Sequence, residues 1–187
     1  MYTSLEIEIK SQITEEEYKK IINKYHLEGT TFIQTNYYFD TTDHKLINSH
    51  IILRIREKEK NIKLTSKSPL EVGTLEKHII LTKKEAYEMI ENGFDANIIG
   101  LDYRVNNVAK LQTERTTMPY KSGKLFFDKN TYYDTVDYEI EFESDDEVLG
   151  KEQFLQFLTE NGLTFNKIVS KSKRAYKKSS QLWWLFF

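Results

Sequence analysis

The chain has 187 residues, 27 Lys or Arg against 29 Asp or Glu for a net charge of −2, and no cysteine. That length suits one domain with a substantial core, and the charge balance argues against a protein-wide basic field for nucleic acid or an anionic membrane. The lack of cysteine excludes a disulfide framework and thiolate metal ligation, so any electrostatic function has to arise from local segregation of charge.

The N-terminus lacks the basic-then-apolar layout of a signal peptide, which makes a cytoplasmic protein the expectation. It opens instead on LEIEIK, where Glu6, Glu8 and Lys10 alternate with Leu5, Ile7 and Ile9, the pattern of a two-faced strand over Ser4 to Lys10. Thr14 followed by Glu17 is a capping box that starts a helix, and EEEYKK reads as that helix's solvated side. Strands are expected over Ile33 to Asp40, Ile51 to Glu57, Asn61 to Lys67 and Leu75 to Leu81. A second capping box, Thr82 with Glu85, starts another helix. Three more strands follow, Ala109 to Thr116, Lys124 to Asn130 and Val136 to Glu143, then a helix from about Lys151 to Asn161 stopped by Gly162, and a short helix after Ser170. The closing run Leu182, Trp183, Trp184, Leu185, Phe186, Phe187 is too short to span a bilayer; it packs on the body, packs on a second copy in a homodimer, or is a disordered tail. The eight strands and flanking helices specify an α+β fold, and eight strands suffice to close an antiparallel barrel.

Charge along these strands sorts by parity. Arg54 and Arg56 share a face opposite Leu53 and Ile55; Lys63, Thr65 and Lys67 oppose Ile62 and Leu64; Glu76 pairs with His78, and Thr113 with Arg115. In DYEIEFE, Asp137, Glu139, Glu141 and Glu143 line one side, with Tyr138, Ile140 and Phe142 on the other. One such strand is ordinarily a sheet face turned to water. Several single-sign faces are costlier, because like charges about 7 Å apart repel by roughly 2 kcal/mol at an effective dielectric near 20. Divalent cations on all-oxygen ligands would compensate Glu6, Glu8, Glu139 and Glu141, with magnesium or manganese favoured over zinc. A phosphate chain gripped by guanidinium forks would compensate Arg54, Arg56, Lys67 and Arg115. Both clusters inside one closed sheet imply a charged, wet lumen, with the aliphatic outer face covered by the amphipathic helices.

This ordered set resembles the CYTH superfamily of triphosphate tunnel metalloenzymes, which includes class IV adenylate cyclases and thiamine triphosphatases. The opening Glu-x-Glu-x-Lys (Glu6, Glu8, Lys10), the Arg-x-Arg of Arg54 and Arg56, Lys67 before a turn and Glu76 on the next strand all match. So do Arg115, Asp128, the acidic strand with Glu139 and Glu141, and the terminal Lys-x-x-Arg of Lys171 and Arg174. Asp137 and Glu143 share the inward face of the acidic strand, and either substitutes if its register shifts; Lys167 and Lys173 are alternatives at the C-terminal motif.

The resemblance implies a single tunnel domain over residues 1–180, with an apolar tail at 181–187, and one or two Mg2+ or Mn2+ ions. Glu6, Glu8, Asp128, Glu139 and Glu141 would be the metal ligands. Lys10, Arg54, Arg56, Lys67, Arg115, Lys171 and Arg174 would hold a small-molecule triphosphate, with no nucleic acid or membrane partner. Lys10 would sit between the clusters, and Glu76 either orients water or a base or is a structural ion-pair partner. His78 reads as a wall residue, since no second His lies at a ligand offset. The implied activity is hydrolysis of inorganic, nucleoside or thiamine triphosphate at the terminal phosphate. The alternatives are a cyclase forming cyclic AMP and pyrophosphate, and a non-catalytic polyphosphate-binding domain. The aromatic residues Tyr37, Tyr38, Phe39, Tyr132 and Tyr133 read as core and wall, and no Gly-rich phosphate loop is present.

Overall fold

The computed structural model describes residues 1–183, with side chains through residue 179. The expected N-terminal strand is two, β1 (Tyr2–Glu6) and β2 (Glu8–Ile13), followed by α1 (Glu15–Lys24), β3 (Phe32–Asp40) and a four-residue helix, α2 (Lys45–Asn48). Next come β4 (Ile52–Lys58), β5 (Asn61–Pro69), β6 (Thr74–Leu81), α3 (Lys83–Asn92) and the two-residue β7 (Phe94–Asp95). The chain continues through β8 (Arg104–Tyr120), β9 (Gly123–Tyr132) and β10 (Thr135–Glu143) to α4 (Glu147–Glu160) and α5 (Lys171–Trp183). The apolar run at 182–187 lies outside the residues whose side chains are described.

The strands form one antiparallel sheet in the order β1-β6-β5-β4-β3-β8-β9-β10-β2, with β7 off this path on β8. This corrects the expected eight-stranded closed ring. The ladder is a curled half-barrel of ten strands whose two edges, β1 and β2, are consecutive in the chain and joined through Ile7. β1 pairs with β6 and β2 with β10, so one bent N-terminal segment serves both edges. Parity survives the bend, because Glu6 and Glu8 are two residues apart.

Both capping boxes form. Glu17 N donates to Thr14 Oγ1 at 3.2 Å while Thr14 N donates to the Glu17 carboxylate at 2.7 Å; Thr82 and Glu85 repeat the exchange at 3.3 and 2.8 Å. α4 begins at Glu147, earlier than expected. Asp146 caps it by accepting from Leu149 N at 2.8 Å, and Gly150 lies inside the helix, where a Cβ would come within 2.1 Å of Ser144 Oγ. A glycine inside the helix had disguised the first turn. β8 outgrows the expected segment because it pairs with β3, β7 and β9 in turn, and those pairings carry its polar flanks.

The aliphatic faces point outward and are covered by helices. Leu53, Ile55, Ile62 and Leu64 pack with Ala86 of α3 and with Leu46 of α2. On the opposite wall, Leu125, Phe127, Ile140 and Phe142 pack with Ile21 of α1 and with Phe154, Phe157 and Leu158 of α4. Burying each such side chain contributes on the order of 2 kcal/mol. The outer shell therefore holds the sheet together and leaves its inner face to charge. No described helix is long and apolar enough to cross a membrane.

Candidate active site

The inner face gathers the charged side chains that sequence parity had grouped. Arg115 of β8 donates from Nε to Asp128 Oδ1 at 2.8 Å and from Nη2 to Asp128 Oδ2 at 2.6 Å, and its Nη2 also bonds Glu141. Phe126 supports this guanidinium, with the ring centroid 4.4 Å from its central carbon. Lys171, the first residue of α5, bonds Glu139, Glu141 at 2.8 Å and Asp128 at 2.7 Å. Arg174, one turn on, donates to Glu139 at 2.6 Å and reaches Asp137 at 2.9 Å. Asp128 and Glu139 are fully buried. Burial would raise the Asp128 pKa, but the charges of Arg115 and Lys171 outweigh it and hold the carboxyl well below the usual range.

A second acidic group lies where β2 meets β10. Glu8 is the register partner of Glu143, and one carboxylate oxygen each from Glu6, Glu8 and Glu143 lies within 4.8 Å of the others. Asp128, Glu139 and Glu141 meet the same description. Lys10 bridges the two groups, with Nζ 2.5 Å from Glu8 and 3.6 Å from Glu141. Burial would raise the Glu8 pKa, but Lys10 and Lys67 lower it well below normal. Glu143 differs. Burial and the neighbouring Glu6 push it up to about 7, and no ion pair to it is formed among the described residues. The two trios, all carboxylate oxygen, suit a hard divalent cation. The first trio contains Glu143, which the sequence reading held as a register alternative; its signal was the unbroken alternation of DYEIEFE.

The third group is basic. Lys67 of β5 bonds Glu6, and lies 2.6 Å from Glu76 Oε1, which is 3.7 Å from Arg54 Nη2. His78 sits in the wall between Ser4 Oγ (2.9 Å), Thr65 Oγ1 (3.0 Å) and Glu76 Oε2 (3.1 Å). Glu76 thus pairs with the cations Lys67 and Arg54 and lies within hydrogen-bond distance of the His78 ring. Arg56 has a different environment. Its Nε donates to Asn36 Oδ1 at 2.9 Å, and among the described residues no carboxylate lies within 4.0 Å of its guanidinium. Burial and the like charges of Arg54 and Arg115 push its pKa down to about 9. The Nε of Arg54 and the Nδ2 of Asn36 are buried with no hydrogen-bond partner. Asn36 escaped the sequence reading because a neutral amide carries no parity signal.

These groups line two neighbouring cavities. A cavity of about 230 Å³ is lined by Glu6, Glu8, Lys10, Arg54, Arg56, Lys67, Arg115, Glu141, Glu143 and Lys171. It shares Glu6, Arg54, Arg56 and Glu143 with a wider polar opening of about 510 Å³, which also takes in Lys63, Glu76, His78 and Lys124. Asp128, Glu139 and Arg174 lie behind this lining and reach it through Arg115, Glu141 and Lys171.

The CYTH domain model matches residues 4–176, a span that takes in every strand of the sheet from Glu6 onward and the start of α5. The chain belongs to the CYTH domain family. Over 185 residues it is 30% identical to a Bacillus subtilis protein named "Putative triphosphatase YjbK", covering 95% of this chain and 97% of that one. A crystal structure from Bacillus halodurans, titled a "putative adenylate cyclase", superposes with a TM-score of 0.85 at 31% identity, covering 93% of this chain and 98% of the other. A structure from Hippeastrum, titled "Putative adenylyl cyclase HpAC1 from Hippeastrum reveals a dominant triphophatase activity", gives a TM-score of 0.73 at 20% identity, over 93% and 96% of the two chains, a likeness of fold.

Proposed function

We propose that this CYTH protein is a divalent-metal-dependent triphosphatase that cleaves the terminal phosphate of a triphosphate-bearing small molecule. The observation that carries the reading is Arg56, a guanidinium packed beside Arg54 and Arg115 with a neutral amide as its hydrogen-bond partner. Desolvating a cation without a counter-ion costs several kcal/mol, and a bound polyanion removes that cost. Relatives named for triphosphatase and adenylate cyclase activity support a triphosphate as that polyanion.

Glu6, Glu8 and Glu143 would hold one magnesium or manganese ion. Asp128, Glu139 and Glu141 offer a second set, whose carboxylates are engaged by Arg115, Lys171 and Arg174. A bound ion supplies Lewis-acid polarisation of a phosphoryl oxygen and lowers the pKa of its water. The chain's own bases do the rest. Arg54, Arg56 and Arg115 grip non-bridging oxygens, and Lys10 and Lys67 align the chain between the acidic trio and the guanidinium groups. Water adds to the terminal phosphorus, the bridging P–O bond breaks and its electron pair leaves on the diphosphate product, while one proton of the water stays on the released orthophosphate and the other passes to solvent. The fixed guanidinium groups stabilise the charge that develops on those oxygens. Arg174 holds Asp137 and Glu139, and so positions α5 and Lys171.

A cyclase is the second reading, favoured by the name of the Bacillus halodurans relative. It would use the same grip and expel pyrophosphate. Incubation with ATP, inorganic triphosphate and thiamine triphosphate plus Mg2+ or Mn2+ tests both. Orthophosphate release supports the hydrolase, and cyclic nucleotide with pyrophosphate supports the cyclase.

A further inference from the structure

The two acidic trios differ in the cations that already face them. In the trio of Asp128, Glu139 and Glu141 every carboxylate meets at least two: Arg115 and Lys171 at Asp128, Lys171 and Arg174 at Glu139, and Arg115, Lys171 and Lys10 at Glu141. Glu6 and Glu8 meet one each, Lys67 and Lys10, and Glu143 meets none among the described residues.

Among the described residues, Lys171 alone touches all three carboxylates of the buried trio. Its Nζ lies 2.7 Å from Asp128 Oδ2 and 2.8 Å from Glu141 Oε1, and it bonds Glu139 Oε1. Magnesium binds carboxylate oxygens at about 2.1 Å, so an ion on these same oxygens would take the place of the ammonium. The neighbouring cations have further anchors: Arg115 lies against Phe126, and Arg174 also reaches Asp137. Lys171, a compact charge on a flexible four-carbon stem, is the cation able to leave.

The helix that carries it has its own fastenings. Beyond Lys171, α5 is tied to the two histidines that flank α2, with Lys173 Nζ 3.1 Å from His50 Nδ1 and Tyr176 Oη 2.5 Å from His44 Nδ1. Ser179 donates at 2.9 Å to the carbonyl of Val108, the extra residue where the β3–β8 register shifts, and Ala175 packs with Tyr38 and Leu111. The Lys171 side chain can therefore move while α5 stays. It already lines the central cavity with Lys10, Arg54, Arg56 and Arg115. Turned toward those bases its ammonium would add to a group of like charges, and a phosphate chain lying among them removes that repulsion.

Resting on the triphosphate reading above, we propose that Lys171 is the resident cation of the trio of Asp128, Glu139 and Glu141 and gates it. The free protein then binds one divalent ion, at Glu6, Glu8 and Glu143, and a second enters the buried trio only when a phosphate chain draws Lys171 away. Phosphate chain and second ion bind with positive coupling, each favouring the other.

Manganese titration of the full chain, followed by the electron paramagnetic resonance of the free ion, counts the sites. The expectation is one ion for wild type and two for Lys171→Met, with the second lost again when Glu139→Gln is added. With the non-hydrolysable β,γ-imido analogue of ATP, which brings Mn2+ of its own, wild type should bind one ion more than Glu139→Gln under the same conditions. Lys171→Gln serves as a second variant, thermal transitions report folding, and if neither Lys171 variant folds the wild-type and Glu139→Gln arms decide. Two ions in the free wild type, one ion in the folded Lys171 variants, or equal counts for wild type and Glu139→Gln with the analogue overturns the gate and leaves the metal-dependent triphosphatase standing. No bound Mn2+ in wild type, with or without the analogue, overturns the functional reading and this inference with it.

Discussion

The Arg56 guanidinium donates from Nε to the side-chain oxygen of Asn36 at 2.9 Å, an amide where a carboxylate would have neutralised it. Asn36 fixes the plane of the guanidinium without cancelling its charge, which leaves the terminal nitrogens for a phosphate. Asn36→Asp should therefore place an internal counter-ion on Arg56, raising the thermal transition while raising KM for the triphosphate by about tenfold or more. Steady-state kinetics and a melting curve on the same sample check both signs, and unchanged KM would remove Arg56 from the phosphate grip.

Arg56→Ala separates binding from folding. It deletes an uncompensated buried cation, so stability should hold or rise, while triphosphate affinity should fall by about 2 kcal/mol or more, the scale of a charge-assisted hydrogen bond. Calorimetric titration of the triphosphate and chemical denaturation make the comparison.

Which parts of this arrangement are legible in sequence follows from what produces them. Strand parity alone groups Arg54 with Arg56 and places Glu139, Glu141 and Glu143 on one face, because period-two alternation is a geometric consequence of the extended chain. Both capping boxes are readable for the same reason: the partners are three residues apart. The break at Ile7 was not readable, since an unbroken LEIEIK pattern suits one strand as well as two, and only the pairing of its halves with different partners, β6 and β10, divides it. Asn36, the bulge at Val108 and the helix between His44 and His50 were also hidden. Each depends on what lies across from it rather than on its own neighbours.

Lys171 stands in the middle of Asp128, Glu139 and Glu141. Lys171→Met should cost the metal-free protein about 3–5 kcal/mol by leaving buried carboxylates under-compensated. Added Mg2+ should restore much of that loss, because a divalent ion fits the vacated oxygens. Melting curves with and without Mg2+ check this, and a variant as stable as wild type without metal would show that the trio needs no cation there.

Gly73 sits at φ +73°, and a Cβ there would lie 2.7 Å from the Glu6 carbonyl oxygen. Gly73→Ala should destabilise the fold by about 1–3 kcal/mol and weaken divalent-ion binding through displaced Glu6. Denaturant midpoints together with Mn2+ titration would reveal both effects.

In the proposed function, the acidic trios and the uncompensated Arg56 guanidinium form one site for a metal-bound triphosphate. Phosphorus NMR of the triphosphate panel tests it most directly, recorded for the wild type with Mg2+ or Mn2+, for the wild type with chelator, and for Glu8→Gln. Metal-dependent release of orthophosphate that disappears with chelator and in Glu8→Gln is the predicted result. Turnover undiminished by chelator or by Glu8→Gln, or no change in any triphosphate signal with wild type and metal, would contradict it.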